Sequence, residues 1–114
     1  MQVLVNTDNH IEGTLELRRK TQGVIRDALT RFGEQITRVE VFFTDEDSRA
    51  RSTQNDKHCL IEVHLAGLKP IAASERGATV DQALAAAADT IEKTLDRKLG
   101  RLHDKQGRGS NQAV

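Results

Sequence analysis

The chain has 114 residues, 37% hydrophobic and 30% charged, which suits one small domain with a modest core and a heavily solvated surface. Seventeen basic residues balance seventeen acidic ones, so bulk charge argues neither for nor against an anionic partner and its distribution must decide. One cysteine excludes a disulfide framework, and no basic leader or membrane-length apolar run occurs, so a cytoplasmic globular protein away from membranes is expected.

Gln2 to Thr7 alternates Val3 and Val5 with polar neighbours, as a short strand does. From Thr14 the period changes. Leu17, Thr21, Val24, Ile25, Ala28, Leu29 and Phe32 fall on one helical face, with Gly33 as a stop. Gly23 inside this helix costs about 1 kcal/mol relative to alanine. Ile36 to Thr44 reads as a half-buried strand, with Val39, Val41 and Phe43 on one face. Asp45 to Lys57 is polar and without period, which predicts a flexible connection.

His58 to Ala66 alternates cleanly, with Cys59, Ile61, Val63 and Leu65 on one face and His58, Leu60, Glu62 and His64 on the other. Gly67 and Leu68 turn into a last strand, Lys69 to Ser74, whose Pro70 suits a strand start or an edge. Thr79 then caps a long helix to about His103. Its apolar stripe is Val80, Ala83, Leu84, Ala87, Ala88, Ile91, Leu95, Leu99 and Leu102. The order β-α-β-β-β-α predicts an α+β fold: a four-stranded sheet with two helices packed on one face. Residues 1–105 form one domain in this reading, and 106–114 a disordered tail.

Catalytic machinery is not apparent. His58 and His64 share a strand face but lie six residues apart, about 20 Å, too far to share an ion. No histidine or cysteine pair has zinc-like spacing, and no metal or other cofactor is expected. Cys59 sits in the most apolar strand, which favours a buried inert thiol over a nucleophile. Asp45, Glu46 and Asp47 read as a solvated acidic loop rather than a cation site.

The organised feature is charge on the last helix. Lys93, Arg97, Arg101 and Lys105 follow one another at i+4, while Asp89, Glu92 and Asp96 occupy the other flank. Like charges at that spacing cost about 0.2–0.5 kcal/mol each, so the ladder points to an anionic partner. Lysines and arginines near a helix C-terminus also favour the macrodipole, which accounts for Arg101 and Lys105 without a partner. On the first helix Arg19, Lys20, Arg26 and Arg31 lie opposite the apolar stripe, with Asp27 among them and Arg18 nearer the boundary. Two helices on one side of a sheet would present both basic surfaces together, a patch at the scale of a nucleic-acid backbone. Few aromatics are available to stack on bases, which favours recognition of structured RNA by phosphate and shape.

The element order, the segment KPIAASERG (69–77) and the closing run TIEKTLDRKLGRLHDK (90–105) resemble the bacterial ribosome hibernation-promoting factor and ribosome-associated inhibitor family. The similarity extends to about Lys105 and is most specific in the last helix. It implies a non-enzymatic factor that binds the small ribosomal subunit and its rRNA near the decoding centre. Such a factor occludes the mRNA and tRNA channel and inhibits translation under stress or in stationary phase. Carried over, the rRNA-binding residues are Lys93, Arg97, Lys98, Arg101 and Lys105, with Arg18, Arg19, Lys20 and Arg26 on the first helix. The likeness is to short forms without an added dimerisation domain, which implies a monomer or weak homodimer and no small-molecule substrate. The alternative is a divergent member acting as a protein-binding regulatory module.

Overall fold

A computed structural model describes residues 1–45 and 57–106, with side chains as far as Gly100. The elements are β1 (Gln2–Thr7), α1 (Leu15–Leu29), β2 (Ile36–Asp45), β3 (Lys57–Leu65), β4 (Ile71–Gly77) and α2 (Val80–Gln106). A 3-10 segment, Thr30–Gln35, joins α1 to β2. The sheet order is β1-β2-β3-β4, with β1 parallel to β2 and the other two pairings antiparallel. This is the expected four-stranded α+β arrangement with both helices on one sheet face.

Alternation in the strands decides which face the helices cover. Val3, Val5, Val39, Val41, Phe43, Cys59, Ile61, Val63, Leu65 and Ile71 are all buried there. Against them pack Thr21, Ile25 and Leu29 of α1, and Ala83, Leu84, Ala87, Ala88, Ile91, Leu95 and Leu99 of α2. Each fully buried aliphatic side chain contributes about 1.5–3 kcal/mol by removal from water. The apolar stripes read from helical period are therefore the packed faces as far as Leu99, the Leu102 side chain lying outside the described residues; Leu17, Val24, Ala28, Phe32 and Val80 rim the same core.

Both helix starts are capped by threonine. The Thr14 hydroxyl accepts from the amide of Leu17 at 3.0 Å, and the Thr79 hydroxyl accepts from that of Gln82 at 3.0 Å. The Gln82 side chain reaches back to the amide of Ala78 at 3.2 Å, so orphan donors are satisfied from both sides of the cap.

Several boundaries differ from the sequence expectation, each for a physical reason. The α-helical geometry of α1 ends at Leu29 rather than near Phe32, and the chain tightens into the 3-10 segment until Gly33, at φ 72°, redirects it into β2. Asp45 and Lys57 are not part of a loose connection: they are register partners at the ends of β2 and β3, with Nζ 3.4 Å from Oδ2. The rest of that connection, 46–56, with Glu46 and Asp47, lies outside the described residues. Pro70 precedes the last strand, which continues past the expected end at Ser74 because Glu75 to Gly77 pair with Cys59 to Lys57. Finally, α2 runs three residues beyond His103, to Gln106, and 107–114 lie outside the described residues.

The far ends of β1 and β2 are tied together by one carboxylate. Asp8 accepts from the amide of Asp45 at 3.0 Å and from that of His10 at 2.9 Å. Amide donation, first from Asp45, holds its carboxyl below the usual 3.8. The stabilisation is thus complete above pH 4 and is lost as pH falls through the lowered value. In acid unfolding, Asp8→Asn is expected to flatten the decline of stability below about pH 4.

Glycines supply a second check. At Gly77 an added Cβ would stand 2.6 Å from the amide nitrogen of Ala83 and 3.0 Å from the carbonyl carbon of Gln82, so the start of α2 lies against a bare backbone. At Gly23, on the outer side of α1, nothing lies within 4 Å. Gly23→Ala is expected to raise Tm by about 4–8 °C, from about 1 kcal/mol of helix propensity. Gly77→Ala is expected to lower stability by about 1–3 kcal/mol through overpacking. Thermal melts of the two variants test both.

Candidate nucleic-acid interface

The apolar stripe of α2 sets its rotation, and that rotation places its charges. Helices α1 and α2 run parallel, side by side, because each returns from a strand of the same direction: β1 for α1 and β4 for α2. The acidic flank of α2 is turned toward α1. Lys20 meets Asp81 at 2.7 Å, near the start of both helices. Eleven residues further along each, Arg31 bonds Glu92 through Nε at 3.3 Å and grips Asp96 with both terminal nitrogens, at 3.0 and 2.9 Å.

The Arg31 cluster is mutually reinforcing. Hydrogen bonding to Asp96 raises the pKa of the guanidinium, and Arg31 in turn lowers that of the Asp96 carboxyl. The guanidinium also lies 4.3 Å over the ring of Phe32. The separation of signs along α2 therefore has a cause inside the fold: its carboxylates serve the first helix and the turn that follows it. Arg31 acts as a clamp between helices, not as a free cation.

The remaining cations lie elsewhere. At about 100° per residue, Lys93 and Arg97 fall further round α2 than Glu92 and Asp96, on the flank away from α1. Thr90 marks that flank, donating to Glu75 of the edge strand β4 at 2.8 Å. Arg19 and Arg26 occupy the opposite flank of α1, toward β1. Arg18 is turned in on that side and donates to the carbonyl of Val5 at 3.0 Å.

The expected single patch is thus resolved into two strips flanking a neutral seam of ion pairs. The strips are on the order of 20 Å apart, two helix diameters.

The nine expected residues differ in availability. Arg19, Arg26, Arg97 and Lys98 are exposed and make no side-chain hydrogen bond or ion pair among the described residues. Lys93 pairs with Asp89 of its own helix at 3.0 Å, but at 73% exposure that contact is loose. Lys20 is engaged by Asp81 and Arg18 by β1. Arg101 and Lys105 lie on α2, with side chains outside the described residues.

Cys59 is fully buried, and burial pushes its thiol up to about 12, which removes the thiolate a nucleophile needs. On the opposite sheet face, Glu40, Glu62 and His64 bring three donor atoms together. The comparison of histidine spacings missed this set because Glu40 joins it from another strand.

A family model described as sigma 54 modulation protein / S30EA ribosomal protein matches residues 4–103. The crystal structure of the Thermus thermophilus Protein Y N-terminal domain superposes with a TM-score of 0.67 at 17% identity, covering 85% of this chain and 98% of that one. A ribosomal subunit interface protein from Coxiella burnetii gives a TM-score of 0.65 at 15% identity, covering 88% of this chain and 99% of that one. No curated protein matches by sequence. At these identities the two structures establish the shared fold. The family match takes in α1, β2, β3 and β4 whole, and most of β1, of α2 and of the closing run that carries the resemblance, and so the chain belongs to the sigma 54 modulation protein / S30EA ribosomal protein family, that of the ribosome hibernation-promoting factors.

Proposed function

We propose that this protein is a non-enzymatic, cytoplasmic factor that binds the small ribosomal subunit through rRNA phosphates and inhibits translation by occluding the mRNA and tRNA channel. The observation that carries the reading is the set of cations without a partner among the described residues, Arg19, Arg26, Arg97 and Lys98, on a helical layer whose carboxylates at Asp81, Glu92 and Asp96 are occupied by internal partners. Arginines and lysines without an internal partner are free to make charge-assisted bonds to phosphate. Membership of a ribosomal protein family and the likeness to a ribosomal subunit interface protein support the ribosome as the source of those phosphates.

Two strips rather than one patch suit two phosphate tracks. Each strip then contributes separately to affinity, through release of counterions. Steric occlusion needs no catalytic group, in keeping with the buried, unreactive Cys59.

Co-sedimentation with purified small subunits tests the reading. Charge reversal of either strip, Arg19→Glu with Arg26→Glu or Arg97→Glu with Lys98→Glu, is expected to abolish pelleting at moderate salt. In a salt titration, alanine at both residues of one strip should reduce the log–log slope by about two, one per lost phosphate contact. Undiminished pelleting of both reversed variants sinks the assignment. A flat salt dependence in the native chain would favour the protein-binding alternative.

The clamp has its own signature. Arg31→Ala leaves Glu92 and Asp96 uncompensated beside the strips and is expected to weaken subunit binding several-fold, with little change in Tm, because these ion pairs are largely exposed. Adding Asp96→Asn to that variant should restore part of the loss.

A further inference from the structure

The sheet face turned away from the helices carries a cluster of its own. Glu40 on β2 stands directly opposite Glu62 on β3, and Arg38 stands opposite His64. Like charges directly across an antiparallel pair are destabilising. Neither strand can relieve the repulsion by moving, because β2 and β3 are the two interior strands and are hydrogen-bonded on both sides.

Arg38 is the cation set beside Glu40, and it fits poorly. Arg38 Nη2 lies 3.3 Å from Glu40 Oε1 and 3.3–3.4 Å from the two ring nitrogens of His64, while its Nε is buried without a hydrogen-bond partner among the described residues. A guanidinium matched to a carboxylate uses two nitrogens at about 2.7–2.9 Å. Here one nitrogen is shared between Glu40 and the His64 ring, of which a neutral imidazole leaves only one nitrogen able to accept, and another is stranded.

The remaining three groups meet at one point. His64 Nε2 is 2.8 Å from Glu62 Oε1 and 3.6 Å from Glu40 Oε1. One donor atom from each of the three side chains lies within 4.8 Å of the others. Ligand atoms around a tetrahedral zinc ion, with bonds of about 2.0–2.1 Å, are separated by about 3.4 Å, and the observed spacings bracket that value.

We propose that Glu40, Glu62 and His64 form a binding site for one divalent cation of the borderline class, with zinc the best match. An imidazole nitrogen with two carboxylate oxygens is the donor set such ions take, whereas calcium or magnesium calls for oxygen throughout. Three protein ligands leave a further position to water. Both strands are rigid, so binding needs side-chain rotation only. Arg38 competes for Glu40 in the absence of metal; with metal bound it can retire to the outer oxygen of Glu40, where it orients that ligand. His58, six residues before His64 on β3 and about 20 Å along the strand, does not take part. The site lies on the face opposite the helical cations, so it stands or falls independently of RNA binding.

Titration calorimetry of the full chain with zinc chloride is expected to give one ion per chain. His64→Ala and the isosteric Glu62→Gln should each weaken binding by about tenfold or more. Arg38→Ala should bind zinc at least as tightly as the native chain, because it removes the competitor. Zinc should raise the Tm of the native chain and of Arg38→Ala, but not that of Glu62→Gln, and cobalt(II) should give a d–d absorption band that His64→Ala abolishes. Absence of binding overturns the proposal. So does unchanged affinity in both ligand variants, which would place the ion elsewhere, as does loss of binding in Arg38→Ala.

Discussion

The rest of the molecule depends on how α2 is seated across β3 and β4. Its stripe from Ala83 to Leu99 is buried against the sheet, and so is the facing row from Cys59 to Leu65. A helix with one wide apolar face has only one rotation that buries it. That rotation determines which residues look toward α1 and which look outward. The electrostatic surface is therefore a consequence of core packing.

Seen this way, the charges of the helical layer divide into two classes. The carboxylates of α2 are spent within the fold, on Lys20 and on the Arg31 clamp. The cations left over sit on outer flanks. A basic ladder read along α2 alone overstates the case for a partner at Lys93, which has Asp89 for company, and says nothing of Arg31. Neutral total charge and a surface that offers cations to a polyanion are compatible because much of the negative charge on this layer is already compensated locally. Exposed ion pairs of this kind add little stability; their effect is on the field that a polyanion meets.

The two faces of the sheet follow different rules. Under the helices, alternation supplies an apolar layer. On the open face, alternation brings like charges into register at Glu40 and Glu62, and the sheet geometry offers no escape. Arg38 and His64 are the local answer, and an incomplete one, since the Arg38 Nε is left without a hydrogen-bond partner among the described residues.

Much of the fold was legible because it rests on local period. Val3 and Val5, Cys59 to Leu65, and the stripes of both helices declare a face through spacing alone, Thr14 marks the start of α1 by a change of period, and Thr79 declares the start of α2 through cap chemistry. The family was legible too, in the run from Thr90 to Lys105. What sequence could not supply was any relation between residues distant in the chain. The strand ends at Asp45 and Lys57 needed a cross-strand partner to be recognised, and Glu75 to Gly77 needed β3 beside them to be read as strand. Arg31 with Asp96, and Glu40 with Glu62 and His64, are set by helix rotation and strand register, which only packing determines. The sequence by itself thus determined the elements, their buried faces and the family. Tertiary structure decided which cations are free, because a charge is neutralised by its neighbour in space and not by its neighbour in the chain.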